Sequence, residues 1–97
     1  MKNIICDAIK SRKLLEFYYN EYYRVVEPFT LGVSHKNNDV LAAYQVDGDS
    51  DSNNSDPWRL FNLEDIENLQ VLNESFGGNR DGYRKGDSRM SIIHCEI

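Results

Sequence analysis

Between Leu14 and Pro28 the chain reads LLEFYYNEYYRVVEP, two runs of strand-forming residues broken only by Asn20 and Glu21. Leu15, Phe17 and Tyr19 alternate with Glu16 and Tyr18, and the β-rich pattern resumes at Tyr22. Alternation of period two on one side of a short polar break, with a second β-rich run after it, predicts an antiparallel hairpin. Arg24 stands inside the second run among Tyr23, Val25 and Val26. A lone cation there is costly unless it lies at an edge or faces an anion or an aromatic ring. Tyr19 and Arg24, five residues apart in this hairpin, therefore form a binding-site pattern.

The rest of the chain extends the same theme. Strand signals continue through Tyr22 to Ser34, Val40 to Val46 and Trp58 to Leu63, with Asn37-Asn38-Asp39 as a turn and Pro28 as an edge or bulge. Leu63 to Glu67 suits a tight corner or a single helical turn, and Leu69 to Leu72 a fifth strand. Upstream, Asn3 is placed to cap a short helix through about Lys13 whose Ile5, Ala8 and Ile9 face the sheet. A chain of 97 residues supports one domain with a modest core. A helix over 3–13 and five short strands over 14–76 predict a mainly β (α+β) fold, a small five-stranded barrel that closes on itself and so removes its edges. Residues 1–76 form the domain, and 77–97, with Gly77, Gly78, Gly82 and Gly86, form an irregular C-terminal extension. Met90, Ile92, Ile93 and Ile97 in it suit a strand or one helical turn. The extension is expected to be an arm exchanged between subunits or a lid on the barrel's open end.

Charge and composition exclude several functions. The net charge of −5 repels nucleic acid as a whole, so any contact with phosphates has to come from a local patch. No apolar run reaches membrane-spanning length, and the N-terminus is too polar for a secretory signal; the expected setting is the cytoplasm, with no membrane partner. Cys6 and Cys95 lie near opposite ends without metal spacing, which predicts reduced, packed thiols. The polar segment Asp47 to Asp56 reads as a hairpin loop. Its Asp47, Asp49, Asp51 and Asn53 imitate a calcium loop, but Ser52 replaces the glycine and Trp58 the final glutamate, so no metal is expected. His35, His94, the cysteines and scattered carboxylates form no nucleophile and base set, and no phosphate loop or dinucleotide fingerprint occurs; neither an enzyme nor a cofactor is expected.

Phe17-x-Tyr19, Arg24, Val26-Glu27-Pro28, Leu41-x-x-Tyr44 and Trp58-Arg59-x-Phe61-x-Leu63-x-x-Ile66 recur in the order and spacing of a known family. Over about Ile5 to Phe76 the chain resembles a WYL domain. The resemblance implies an Sm-like small β-barrel that serves as a ligand-sensing or nucleic-acid-binding module in bacterial transcriptional regulators and in accessory proteins of phage defence. It carries Tyr19, Arg24 and Arg59 into the ligand cleft, with Tyr44 as a further lining residue. Two guanidiniums from different strands can grip phosphate or carboxylate, while a tyrosine offers a hydroxyl or a ring face. The implied ligand is anionic: a nucleotide, an oligonucleotide or single-stranded nucleic acid. By alternation Arg59 shares a face with Phe61 and Leu63.

The chain departs from the family in three ways. The namesake triplet is Asp39-Val40-Leu41, Asp65 stands where a second basic residue is often found, and only about a dozen residues precede the first strand, too few for a helix-turn-helix. Both arginines have an ordinary alternative in pairing with Glu27, Glu64 or Asp65. In the tail, Arg80, Arg84, Lys85 and Arg89 gather around Tyr83 and are weak candidates for nucleic-acid contact, against the plain reading of a solvated mixed-charge tail. The alternative function is an accessory scaffold in which Tyr18, Tyr22 and Tyr23 dock a partner regulatory protein or a second copy as a homodimer.

Overall fold

The computed structural model describes residues 1–50 and 55–97. Helix α1 (Lys2–Ser11) buries Ile5, Ala8 and Ile9, three positions at helical spacing. Its N-cap position is Met1 and no side chain caps it. Asn3 is thus one residue inside the helix instead of capping it, because the first turn already closes from Ile5 N–H to Met1 O at 3.1 Å. The helix stops at Ser11, short of Lys13. Arg12 adopts a left-handed conformation (φ 56°) and sends its N–H back to Ile9 O at 3.3 Å, a common way to end a helix and turn the chain.

Six antiparallel strands follow: β1 (Lys13–Tyr19), β2 (Tyr22–Ser34), β3 (Asp39–Gly48), β4 (Trp58–Asn62), β5 (Glu67–Ser75) and β6 (Met90–Glu96). The β1–β2 turn places Asn20 and Glu21 at φ 51° and 69°, the twist that suits a two-residue hairpin. A single 3-10 turn, Leu63–Asp65, makes the corner before β5. The strand order is β4-β3-β2-β1-β5, and β6 also pairs with β2. Strand β2 is thirteen residues long and changes partner along its length. Tyr22 to Val26 pair with β1, Thr30 to Ser34 pair with β6, and β3 runs along the other side. The change falls at Pro28, which has no N–H to give, and the β2–β3 register shifts between Pro28 and Thr30.

The expected closed five-stranded barrel is therefore corrected to an open sheet of six strands. β4 and β5 do not pair with each other. Each face of the sheet carries its own core. One carries a core of Leu15, Phe17, Val26, Leu31, Leu41, Ala43 and Phe61 under α1. The other carries Leu14, Val25, Phe29 and Phe76, against which Tyr44, Trp58 and Tyr83 pack. Phe29 is wholly buried, and its ring lies 4.9 Å from Trp58, 5.0 Å from Tyr83 and 5.4 Å from Phe76. The tail contributes Tyr83 and Ile97 to this second layer. The C-terminal segment is irregular only until β6, which forms the sixth strand.

The pairing of β6 also overturns the expectation of free thiols. Cys6 on α1 and Cys95 on β6 form a disulfide across 89 positions of sequence, with Cα atoms 5.8 Å apart. Their proximity depends on where the last strand docks, which no local pattern shows. Asp51, Ser52 and Asn53 of the calcium-like segment lie outside the described residues. Among the described residues no helix is long and apolar enough to cross a membrane.

Candidate functional site

Registers along three strands determine which side chains meet. Phe17 pairs with Arg24, and Ala43 pairs with Arg59. Phe17, Ala43 and Phe61 all belong to the core under α1, so Tyr19, Arg24 and Arg59 share that face of the sheet, as the alternation of Arg59 with Phe61 implies.

Arg24 is only 3% exposed. Its guanidinium lies over the rings of Tyr19, Phe61 and Tyr22, at 5.4, 5.6 and 5.9 Å from their centroids. Nη2 donates to Tyr19 O at 3.1 Å, and Nη1 donates to Gln45 Oε1 at 3.4 Å. Aromatic faces and a backbone carbonyl thus offset the cost of placing a cation among Val25 and Val26. Tyr19 is fixed in turn: its hydroxyl accepts from Asn62 N–H at 3.1 Å, and its ring meets Phe61 edge-on at 5.0 Å. Arg59 is less buried, and its Nη2 donates to Ser50 Oγ at 3.4 Å. Gln45 joins the group by donating its Nε2 to Asp49 O at 3.2 Å. The result is a fixed inner cation, Arg24, and an outer one, Arg59, beside a tyrosine whose ring orientation is set.

Tyr44 does not join this group. It pairs with both Glu27 and Trp58 and packs into the second core, on the opposite face. Arg80 lies 4.3 Å above its ring and donates Nε and Nη2 to the two carboxylate oxygens of Glu27, at 2.8 and 2.9 Å. These bonds hold the Arg80 pKa above its ordinary value. The Glu27 side chain is 8% exposed, so the bidentate pair neutralises a carboxylate that the fold has buried. Glu27 therefore serves Arg80 in the tail. Of the other tail cations, Arg89 pairs with Asp87 at 2.7 Å, which depresses the Asp87 pKa. Arg84 and Lys85 are exposed. Arg84, Lys85 and Arg89 line one cavity, while Arg80 is held by Glu27.

Sequence reading misses Gln45 and Ser50 around the arginines, and the Glu27–Arg80 pair. Glu27 between Val26 and Pro28 in a buried strand was a usable signal, since a carboxylate there requires a cation from somewhere. Nothing local pointed to Arg80. Comparison with family models, with curated proteins and with solved structures finds no match to this chain.

Proposed function

We propose that this chain is a non-enzymatic ligand-sensing module that binds an anionic ligand, a nucleotide, oligonucleotide or single-stranded nucleic acid, at Tyr19, Arg24 and Arg59. The observation that carries this reading is the shared face: two arginines from different strands and one oriented tyrosine stand on the same side of the sheet. Arg24 acts as the buried positive base, and Arg59 is the residue that reaches the ligand. The sequence resemblance to WYL domains supports the same role, regulation of transcription or of phage defence together with a partner regulatory protein. Such modules work in the cytoplasm. The Cys6–Cys95 bridge weighs against that compartment, because reducing cytosol keeps most thiols free.

The test is titration with nucleotides and short single strands at two salt concentrations. Charge-assisted binding weakens as salt rises, and Arg59→Ala is expected to reduce affinity by about tenfold, the scale of one charged hydrogen bond. Unchanged affinity in Arg59→Ala, or no binding, would refute the proposal.

A second reading has its own observation. Tyr18, Tyr22 and Tyr23 are 45%, 37% and 39% exposed on the β1–β2 hairpin, and rings at a surface suit docking. Under this reading the hairpin is a homodimer or partner interface. A strictly monomeric protein by analytical ultracentrifugation, with no change on mutating the three tyrosines, would dismiss the homodimer.

A further inference from the structure

On the face of the sheet opposite the two arginines, the tail encloses a cavity of about 490 Å³. Its floor includes Thr30 and Ala42, Trp58 forms one wall, and Tyr83, Arg84 and Lys85 stand on the loop that rims it. The volume falls in the range of small-molecule sites.

Three features define what fits. First, the rings of Trp58 and Tyr83 are nearly parallel, at 20° with centroids 6.5 Å apart, and both line the cavity, where they give a flat guest aromatic surface to pack on. Both rings are held in advance: Trp58 Nε1 donates to Asp81 O at 2.8 Å, and the Tyr83 hydroxyl donates to Ile97 O at 2.9 Å. Gly82 allows the loop this close approach, since a Cβ there would stand 2.8 Å from Trp58 Nε1.

Second, the rim carries two cations, Arg84 and Lys85, that make no ion pair among the described residues, although the chain carries −5 overall. Arg89 is already neutralised by Asp87. Among the described residues no carboxylate lies within ion-pair distance of Arg84 or Lys85, and both line the cavity. The acids that oppose them are Asp56 in the lining, whose Oδ1 accepts from Trp58 N–H at 3.0 Å, and Glu96, which meets the rim at Gly86. Third, the rim is pinned where the cations sit, because Gly86 N–H donates to Glu96 Oε2 at 3.0 Å. The cations are therefore presented by an anchored loop.

We infer that this groove is a second binding site, separate from the Arg24 and Arg59 face, for a flat aromatic ring that carries an anionic group. The ring stacks on Trp58 and Tyr83, and the anion meets Arg84 and Lys85. Stacking alone would accept any planar molecule, and two exposed cations alone would accept any anion weakly; the groove selects the combination.

Trp58 is the sole tryptophan, so its fluorescence reports on the groove directly. The experiment titrates the full chain with adenosine 5′-monophosphate, adenosine and inorganic phosphate in parallel. Quenching by the monophosphate is expected, with clearly weaker binding of the other two. Arg84→Glu with Lys85→Glu, both at exposed positions, is expected to weaken the monophosphate's quenching of Trp58 by at least about tenfold, while Lys10→Glu, exposed on α1, leaves it unchanged. Absence of quenching, equal binding of the monophosphate and adenosine, equal binding of the monophosphate and phosphate, or full affinity in the double variant would each overturn the inference.

Discussion

The two faces of the sheet solve the same problem in different ways. Under α1 a single buried arginine is accommodated by three aromatic rings and by the Tyr19 carbonyl. Beneath the tail a single buried carboxylate is accommodated by an arginine from 53 residues away. The first arrangement is local: Tyr19, Tyr22 and Arg24 lie in one hairpin. The second is assembled only when the chain returns. The difference teaches that a polar group in a buried strand can be satisfied by near neighbours, which fix a site, or by a distant segment, which it then holds in place.

The largest expected effect tests whether the tail-covered layer is a core in its own right. Phe17 and Phe29 are both fully buried, one on each face. Phe17→Ala and Phe29→Ala are each expected to cost about 3–5 kcal/mol, the usual range for a buried phenylalanine. Urea unfolding that shows a small loss for Phe29→Ala alone would reduce the tail to an ornament on a one-faced sheet. The disulfide comes next. Replacing Cys6 and Cys95 by alanine together is expected to lower stability by about 2–4 kcal/mol, and a null result would mean that the bridge contributes little to joining α1 to β6.

Within the first face, Arg24→Ala is expected to destabilise by about 2–3 kcal/mol through its charged hydrogen bonds and ring contacts. Arg59→Ala, at a half-buried position, should cost clearly less, about 1 kcal/mol or under. Equal losses would erase the distinction between an inner structural cation and an outer binding one. The smallest effect is a pH dependence under the tail. Arg89 depresses the Asp87 pKa, so the pair's contribution is present above the unfolded carboxylate value of about 3.9 and is lost as pH falls through the lower folded value. With Arg89 half in water the effect is under about 1 kcal/mol. Asp87→Asn should flatten that acid slope, and an unchanged slope would show that other carboxylates produce it.

The contrast also explains what could be read from the sequence. Strand β2 spans the β-rich run from Tyr22 to Ser34, the bulge falls at Pro28, and Arg59 shares a face with Phe61 as its spacing requires. All of these are consequences of residue type and spacing within a few positions. What stayed hidden depended on the last strand. Met90 to Glu96 contains the pair Ile92-Ile93, which blurs alternation, and only its docking on β2 brings Cys95 to Cys6 and holds the tail over Phe29. Tyr44 shows the same limit. One residue beyond Ala43, it faces the second core, and the presence of that core depends on residues more than thirty positions later.

The most direct measurement follows the side-chain Nε–H signals of Arg24 and Arg59 by NMR while a short single-stranded oligonucleotide or a nucleotide is added. The expected result is a saturable shift at Arg59, with a smaller one at Arg24, that weakens at higher salt. A titration that perturbs the Trp58 indole and leaves both arginines unmoved would contradict ligand binding at the Tyr19, Arg24 and Arg59 face and transfer it to the groove beneath the tail.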